Sequence, residues 1–332
     1  MNINWGIIGC GDVTEIKSGP AFYKVAGSSL YAVMRRDATK AADYAARHQV
    51  PVFYTDALQL IQDVNVQAIY ISTPPNSHEQ YALAAIDAGK PVYVEKPMTL
   101  NADSAKKITA YANQKGVKLV VAHYRNAQPI FLKVKQLLAE NAIGEVHTAQ
   151  IDYSRKAPTA TELEHPSMAW RLDPKQSGGG LFHDLAPHQL GLMQFFFGDP
   201  LHSKGFSSNH NKAISADDLV TGMALFNHNI HFFGNWDFNA APHLEKDICF
   251  IRGTKGSIEF SVFNNTQIRL SIHNKAVEEI DFAPLPHVQQ PMIERVVQYF
   301  MGIGENPCSP ESAVSVMQMM DSFVTKENYS DD

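Results

Sequence analysis

The chain has 332 residues, 45% of them hydrophobic and 19% charged, with 28 Lys plus Arg against 34 Asp plus Glu for a formal charge of −6. That length holds about two domains of ordinary size, and the acidic balance argues against nucleic acid or an anionic membrane as the main partner, since either needs concentrated positive charge. Three scattered cysteines, Cys10, Cys249 and Cys308, suit neither a disulfide framework nor a zinc site; with no cationic leader at the N-terminus and no run of about 18 apolar residues, a cytoplasmic protein is expected.

The first third alternates short apolar runs with amphipathic stretches, the order of βαβ units feeding a doubly wound parallel sheet. Strands are expected at Asn4–Ile8, Ser29–Met34, Val66–Ser72, Pro91–Val94 and Val117–Ala122, and helices at Thr39–Gln49, Asp56–Gln62, Ser77–Ala88 and Ala102–Gln114. Gly27, Gly89 and Gly116 stand where helices would end, a place that suits a residue able to take positive φ. After Ala122 the rhythm changes. A helical stretch, Gln128–Glu140, leads through Gly144 to a strand at Val146–Tyr153, then to a long segment ending in Gly178-Gly179-Gly180 and an apolar run, Gln189–Phe197. From Leu219 to Phe282 short β-rich runs follow one another: Val220–Phe226, His231–Phe238, Ile248–Arg252, Ser257–Phe260, Ile268–Ile272 and Ala276–Phe282. This half reads as α+β with an open, mainly antiparallel sheet. Helices at Val288–Met301 and Pro310–Val324 close the chain, and Tyr329–Asp332 are expected to fray. The boundary is set at 1–122 and 123–332.

Gly9-Cys10-Gly11-Asp12-Val13-Thr14 follows the first strand, with Thr14 standing where the third glycine of GxGxxG would be. Two readings stay open: a strand-to-helix turn that uses glycine for geometry, or a dinucleotide site in which backbone N–H groups and the helix N-terminus meet a pyrophosphate. The βαβ context favours the second. The second strand ends in Arg35-Arg36-Asp37. Guanidinium groups offer charge-assisted bonds to a 2′-phosphate, so NADP(H) is expected; if Asp37 instead reached a ribose 2′-hydroxyl, the cofactor would be NAD.

The strand Pro91–Val94 runs into Glu95-Lys96-Pro97. Proline disfavours the α region for the residue before it, which holds Lys96 extended at a strand terminus where ligands lie; the plainer alternative is a surface charge pair before a turn. Further on, Asp184 and His188 are four apart and project from one helix face. An imidazole beside a carboxylate can exchange a proton near neutral pH, although such a pair can also merely tether a helix. His183 points away from Asp184 and reads as structural. An HxxxxH spacing with one Asp is a poor metal pattern, so no metal is expected.

Together, the glycine turn, Ser72-Thr73-Pro74-Pro75-Asn76-Ser77-His78, Ala88-Gly89-Lys90-Pro91-Val92-Tyr93-Val94-Glu95-Lys96-Pro97 and GGG-x₃-D-x₃-H make the chain resemble, over essentially its whole length, the Gfo/Idh/MocA family of NAD(P)-dependent oxidoreductases. The resemblance implies an N-terminal Rossmann domain and a C-terminal domain whose open sheet forms subunit contacts and one wall of the active site. It implies that Lys96 contacts substrate and nicotinamide, and that Asp184 and His188 orient substrate hydroxyls and carry the proton. Gly9, Gly11, Asp12, Val13, Arg35 and Arg36 would bind the rest of the cofactor. Thr73, Pro74, Asn76, His78 and Glu95 would line its nicotinamide half, while Tyr124-Arg125 and Trp170-Arg171 reach over nicotinamide or substrate. The expected substrate contacts are Lys96, Tyr124, Tyr153, Asp184 and His188. Many members have a second Asp three residues after the His; here Gly191 stands there, which leaves the substrate less defined.

The expected reaction moves a hydride between NADP(H) and a secondary alcohol or ketone of a sugar, cyclitol or related polyol, with either His188 or Lys96 carrying the proton. Three alternatives remain: an NAD-dependent glycoside-cleaving enzyme of the same fold, a dihydrodiol-type dehydrogenase, and a non-catalytic cofactor-binding sensor. A homodimer or homotetramer is expected, with alternating apolar positions such as Ile248, Phe250, Ile258 and Phe260 as a sheet-face interface.

Overall fold

Strand β1 (Ile3–Ile8) presents Trp5 and Ile7 to one side of a sheet and Gly6 to the other, as a period of two requires. A computed structural model describes residues 2–264 and 266–324, so Tyr329–Asp332 lie outside the described residues. The chain divides into two units, Met1–Gln128 with Leu285–Val314, and Pro129–Pro284 with Ser315–Asp332.

In the first unit β1 is followed by α1 (Asp12–Ile16), α2 (Ala21–Lys24), β2 (Ser28–Met34), α3 (Ala38–Arg47), β3 (Val52–Tyr54), α4 (Ala57–Gln62), β4 (Ala68–Ile71), α5 (His78–Asp87), β5 (Val92–Val94), α6 (Ala102–Lys115) and β6 (Leu119–Val121). All six strands are parallel, in the order β3-β2-β1-β4-β5-β6. This is the doubly wound sheet expected from the alternation of runs, with one strand more. Val52–Tyr54 is three residues long and has no period to read. Gly27, Gly89 and Gly116 take φ of 75°, 70° and 65°, the left-handed geometry in which a helix end meets a strand.

One face of this sheet is covered by aromatic packing. Trp5 lies 4.8 Å from Phe22 of α2, Phe22 lies 5.0 Å from Tyr70 of β4, and Tyr70 stacks on Tyr93 of β5 at 5.1 Å. Each such pair contributes about 0.5–1.5 kcal/mol beyond its buried area. Phe300 joins the column at 5.5 Å from Trp5. On the opposite face, a Cβ on Gly6 would come within 2.5 Å of Leu60 in α4, so glycine there sets how closely the helix seats.

The second unit runs through α7 (Pro129–Ala139), β7 (Val146–Lys156), α8 (Ala160–Glu164), α9 (Pro166–Leu172), α10 (Pro174–Ser177), α11 (Gly180–Phe197), β8 (His202–Ser208), β9 (Leu219–Phe226), β10 (Ile230–Ala240), β11 (Lys246–Gly253), β12 (Gly256–Phe260), β13 (Gln267–Ile272) and β14 (Glu278–Asp281). The strands form one open sheet, β14-β13-β12-β11-β7-β10-β9-β8, antiparallel except where β10 runs parallel to β7. The segment before the glycine triplet, undivided in sequence, is three short helices. Strand β8 escapes a sequence reading because HSKGFSS is polar and glycine-containing, as edge strands often are.

Helix α11 covers the inner face of this sheet. Phe182 meets Trp236 edge-on at 5.1 Å, and the Trp236 indole donates to Gln189 Oε1 at 2.6 Å. The outer face is different. Phe206, Met223, Phe233 and Ile248 are 53%, 54%, 43% and 39% exposed, too much apolar surface on one side of a sheet to be incidental. The four residues expected to supply an interface are divided by register. Phe250 stands opposite Glu259 on the outer face, and Ile251 opposite Ile258 on the inner, so Ile258 and Phe260 are core and only Ile248 and Phe250 face outward.

After β14 the chain returns to the first unit. Helix α12 (Gln290–Phe300) brings Phe300 to Trp5, the Lys118 ammonium donates to Tyr299 O at 2.7 Å, and Asn306 donates to Leu119 O at 2.9 Å. The last helix, α13 (Pro310–Val324), ends with Phe323 6.0 Å from Trp236 and seated on Gly222 of β9, where a Cβ would stand 2.4 Å from the ring.

Candidate active site

Gly9 takes φ of +96°, and a Cβ on it would stand 2.7 Å from Thr73 Cγ2 and 2.9 Å from Thr73 N. The loops after β1 and β4 are therefore pressed together where the strand order reverses, the switch point at which open α/β sheets bind ligands. Gly11 is the contrast: a Cβ there would meet only Gly9 O, at 3.9 Å. Among the described residues nothing crowds this second position, so the backbone beside it can be approached closely by another group. A dinucleotide pyrophosphate fits that cradle. Asp12, exposed, and Val13, half-buried, open α1.

Thr14 is fully buried, and its hydroxyl donates to Gly11 O at 2.8 Å. Gly19 is tightly enclosed as well: a Cβ there would stand 2.1 Å from Thr14 O and 2.4 Å from the Tyr44 hydroxyl. The first helix is fastened to α3 as well. Tyr44 donates to Thr14 O at 2.9 Å, while Glu15 accepts two bonds from Arg47, at 2.8 and 2.9 Å, and lies 2.9 Å from His48 Nε2. Hydrogen bonding from Arg47, and then from His48, holds the Glu15 carboxyl at about 2 against a partial opposing effect of burial.

Past β2, the half-buried Arg35 donates from Nη1 to Cys10 O at 3.1 Å, which lays its guanidinium along the glycine turn, and Arg36 is exposed. Asp37 is the N-cap of α3, accepting from Lys40 N at 3.1 Å. That bond is the main reason its carboxyl titrates below the usual range.

At the ends of β4 and β5 the motif residues tie two loops together. Ser77 donates to Thr73 Oγ1 at 2.7 Å, Pro74 is half-buried, and Asn76 is exposed. His78 is fully buried, with Nε2 2.7 Å from Thr73 O and Nδ1 3.1 Å from Pro97 O. Burial pushes its imidazole down to about 4, so at neutral pH it is an uncharged clasp. Glu95 is 6% exposed; its carboxylate accepts from Tyr70 at 2.6 Å, Gln289 at 2.6 Å and Lys96 N at 3.2 Å. Gln289 accepts in turn from Tyr93 at 3.1 Å, and Tyr70 lies 3.1 Å from Ser18 Oγ. The Lys96–Pro97 peptide is cis, and Lys96 is half-buried. Tyr124 and Arg125 follow β6, both buried, with the guanidinium 5.5 Å from the Tyr124 ring.

In the second unit α11 carries both candidate groups. His188 is 6% exposed, and Asp184 accepts from Arg171 Nε at 2.9 Å. Arg171 lies over the Trp170 ring at 4.5 Å, so Trp170, Arg171 and Asp184 form one cluster. Tyr153 emerges from β7 into this region, and burial pushes its phenol up. His183 is buried, brought down to about 4 by that burial, and packs where a Cβ on Gly179 would be, 2.2 Å from Nδ1. Gly191 is buried within α11. Sequence reasoning missed Gln289, Tyr70 and Ser18 around Glu95, and Phe263, whose ring meets His188 at 5.7 Å and Tyr153 at 5.1 Å. None sits in a motif; the one available signal is that Tyr70 falls mid-strand in an otherwise aliphatic run.

The family described as an oxidoreductase family with an NAD-binding Rossmann fold, Gfo/Idh/MocA, matches residues 3–123, and its C-terminal domain matches residues 131–259. Oxidoreductase P35 of Formosa agariphila is 47% identical over 321 residues, covering 97% of this chain and 98% of that protein. Trans-1,2-dihydrobenzene-1,2-diol dehydrogenase of Mus musculus is 27% identical over 261 residues, 77% of this chain and 74% of its own. Among solved structures, an aldose–aldose oxidoreductase from Caulobacter crescentus superposes with a TM-score of 0.84 at 19% identity, over 97% of this chain and 96% of that one. The chain belongs to the Gfo/Idh/MocA family; it is an oxidoreductase with an NAD(P)-binding Rossmann domain.

The tie that Glu15 makes between α1 and the end of α3 has a pH signature. A carboxyl lowered from 4.5 to about 2 on folding adds stability that is fully present above its unfolded value and is lost as pH falls through that interval. Urea unfolding of wild type and Glu15→Gln should therefore show a gap that is constant above about pH 5 and narrows toward pH 3. A gap of the same size at both ends would remove Glu15 as a contributor.

Proposed function

We propose that this Gfo/Idh/MocA oxidoreductase interconverts a secondary alcohol and ketone of a sugar, cyclitol or related polyol using NADP(H), and that Lys96, His188 and Asp184 act on the substrate. The observation that carries the reading is the anchoring of Glu95. With its carboxylate held by Tyr70, Gln289 and the Lys96 amide, the Lys96 backbone is fixed at the carboxyl end of β5, where a ligand of this sheet lies.

When bound, the nicotinamide coenzyme accepts or supplies the hydride. Gly9, Gly11, Asp12 and Val13 would hold its pyrophosphate, and Thr73, Pro74, Asn76 and Arg125 its nicotinamide half, while His78 and Glu95 act beneath that surface by fixing the loops. His188 takes the proton from the carbinol oxygen in oxidation and returns it in reduction. Lys96 donates a hydrogen bond to the same oxygen as negative charge develops on it. Asp184, held by Arg171, accepts from a neighbouring substrate hydroxyl. Tyr153, its phenol pushed up by burial, stays protonated and donates; Tyr124 completes the substrate contacts, while Trp170 and Arg171 reach over the nicotinamide or the substrate.

The choice of NADP(H) is supported by Asp37, which is committed to capping α3, while Arg35 lies along the turn with Arg36 exposed beside it. The relative named for a dihydrodiol keeps cyclic dihydrodiols within the substrate class. Among the described residues no helix is long and apolar enough to cross a membrane, and three buried free cysteines accord with a reducing, cytoplasmic setting. The apolar outer sheet face, through Met223 and Phe233, is taken as the contact of a homodimer or homotetramer. Light scattering should report an oligomer that Met223→Glu dissociates; a monomeric wild type would refute this.

Replacing Arg35 and Arg36 together by Ala should weaken NADPH binding by about 10- to 100-fold and leave NADH within about threefold. Nucleotide fluorescence titration reads both, and equal weakening of the two would defeat the assignment. Lys96→Ala should lower kcat by at least about a hundredfold on a polyol panel, with the Kd for NADPH nearly unchanged. Undiminished turnover would exclude Lys96 from the chemistry.

A further inference from the structure

Three successive backbone amides in the turn after β12 are held by one carboxylate. Asp247 accepts from Val262 N at 3.1 Å through Oδ1, and from Phe263 N at 2.6 Å and Asn264 N at 3.1 Å through Oδ2. Hydrogen bonds to an ionised acceptor are roughly twice as strong as neutral ones, so this turn is fixed where a strand connection would ordinarily be loose. Asp247 stands in β11 in register with Tyr153 of β7, and opposed residues of an antiparallel pair leave the sheet on the same side. That side is the inner one, which α11 covers.

The turn so fixed delivers one aromatic ring. Phe263 is half-buried, lies 5.1 Å from the Tyr153 ring, and meets the His188 imidazole edge-on at 5.7 Å and 81°. A ring of this kind offers a hydroxyl only a weak O–H···π contact, whereas its broad electron-rich face suits several C–H groups at once, which carry the positive end of their dipole. A polyol that presents several C–H groups on one side, with its hydroxyls at the rim, is a ring; an open chain turns successive C–H groups in different directions and loses entropy in aligning them.

We propose that Phe263 is a specificity-determining residue, a platform for the C–H face of a ring-borne secondary alcohol beside His188, and that Asp247 is the positioning residue that seats it. The inference rests on the role given above to His188. It adds a selection among alcohols, for cyclitols, pyranoses and cyclic dihydrodiols over open-chain polyols, and assigns that selection to a carboxylate in the adjacent strand.

The test compares wild type, Phe263→Ala, Phe263→Leu, Asp247→Ala and the double Ala variant. The ring alcohols are myo-inositol, D-glucose and trans-1,2-dihydrobenzene-1,2-diol, and the open-chain ones D-sorbitol and glycerol; NADPH binding is followed separately by fluorescence. Wild type should favour the ring alcohols. Phe263→Ala should raise their KM about tenfold with kcat within about threefold, the pattern of lost uniform binding, and Phe263→Leu should recover part of it. Asp247→Ala should give a similar rise, and the double variant no more than Phe263→Ala alone, because the two act as one device. If Asp247→Ala fails to fold, Asp247→Asn, which keeps a single acceptor oxygen, takes its place and should give a smaller rise in the same direction. Unchanged KM in Phe263→Ala, additive effects in the double variant, or a preference for open-chain alcohols overturns this inference and leaves the dehydrogenase standing. A wild type that binds NADPH but turns over none of the five alcohols overturns the dehydrogenase reading and this inference with it.

Discussion

The first unit depends on a buried carboxylate. Glu95 sits at the end of a central strand, where an ionised group without partners would be far too costly to desolvate, and the chain meets it with a phenol from β4, an amide from the segment before α12 and the backbone of the next residue. Hydrogen bonds to a charged group contribute about 1.5–3 kcal/mol each. The arrangement also accounts for the chain's return. Gln289 has to reach Glu95 and Tyr93, and Phe300 then completes the aromatic column on Trp5, so residues Leu285–Val314 belong with the dinucleotide-binding unit although the whole second sheet separates them in sequence.

The second unit uses the same device on a smaller scale. Asp247 fixes the turn that presents Phe263, Arg171 holds Asp184, and the Asp218 carboxylate, with no exposed surface, accepts from His210 N at 2.9 Å and Asn211 N at 2.7 Å to order the connection between β8 and β9. Asp247 and Asp218 absorb backbone donors that a loop would otherwise leave to water, while Asp184 takes a side-chain donor from the neighbouring helix α9. The proposed chemistry accordingly rests on side chains carried by strand ends, one long helix and tied turns.

Two histidines of the motifs show how burial separates structure from chemistry. His78 and His183 are fully enclosed, and both are brought down to about 4 by desolvation. Near neutral pH they are uncharged: His78 is a hydrogen-bonding wedge between the β4 and β5 loops, and His183 is packed against the glycine triplet. Adjacency in a motif does not separate a clasp such as His183 from a candidate proton carrier such as His188. The helix rotates neighbouring positions by about 100°, and the direction each takes decides its environment.

Much of the molecule was readable from residue order alone. The alternation of apolar runs and alanine-rich stretches specifies a parallel sheet, because only strands buried on both faces read that way; the glycine turn, the Glu95-Lys96-Pro97 corner and the Asp184–His188 spacing are local patterns, visible because they lie close together in the chain. Tertiary structure decided what depends on partners far away: that Glu95 is an anchor, since Gln289 is 194 positions distant with no pattern around it; that Asp37 caps a helix; that Ile258 and Phe260 face the core while Ile248 and Phe250 do not; and that Phe263 joins His188 through a turn held by Asp247. Local propensity and periodicity act over a few residues, whereas burial and hydrogen-bond satisfaction are settled only when the sheets and helices pack.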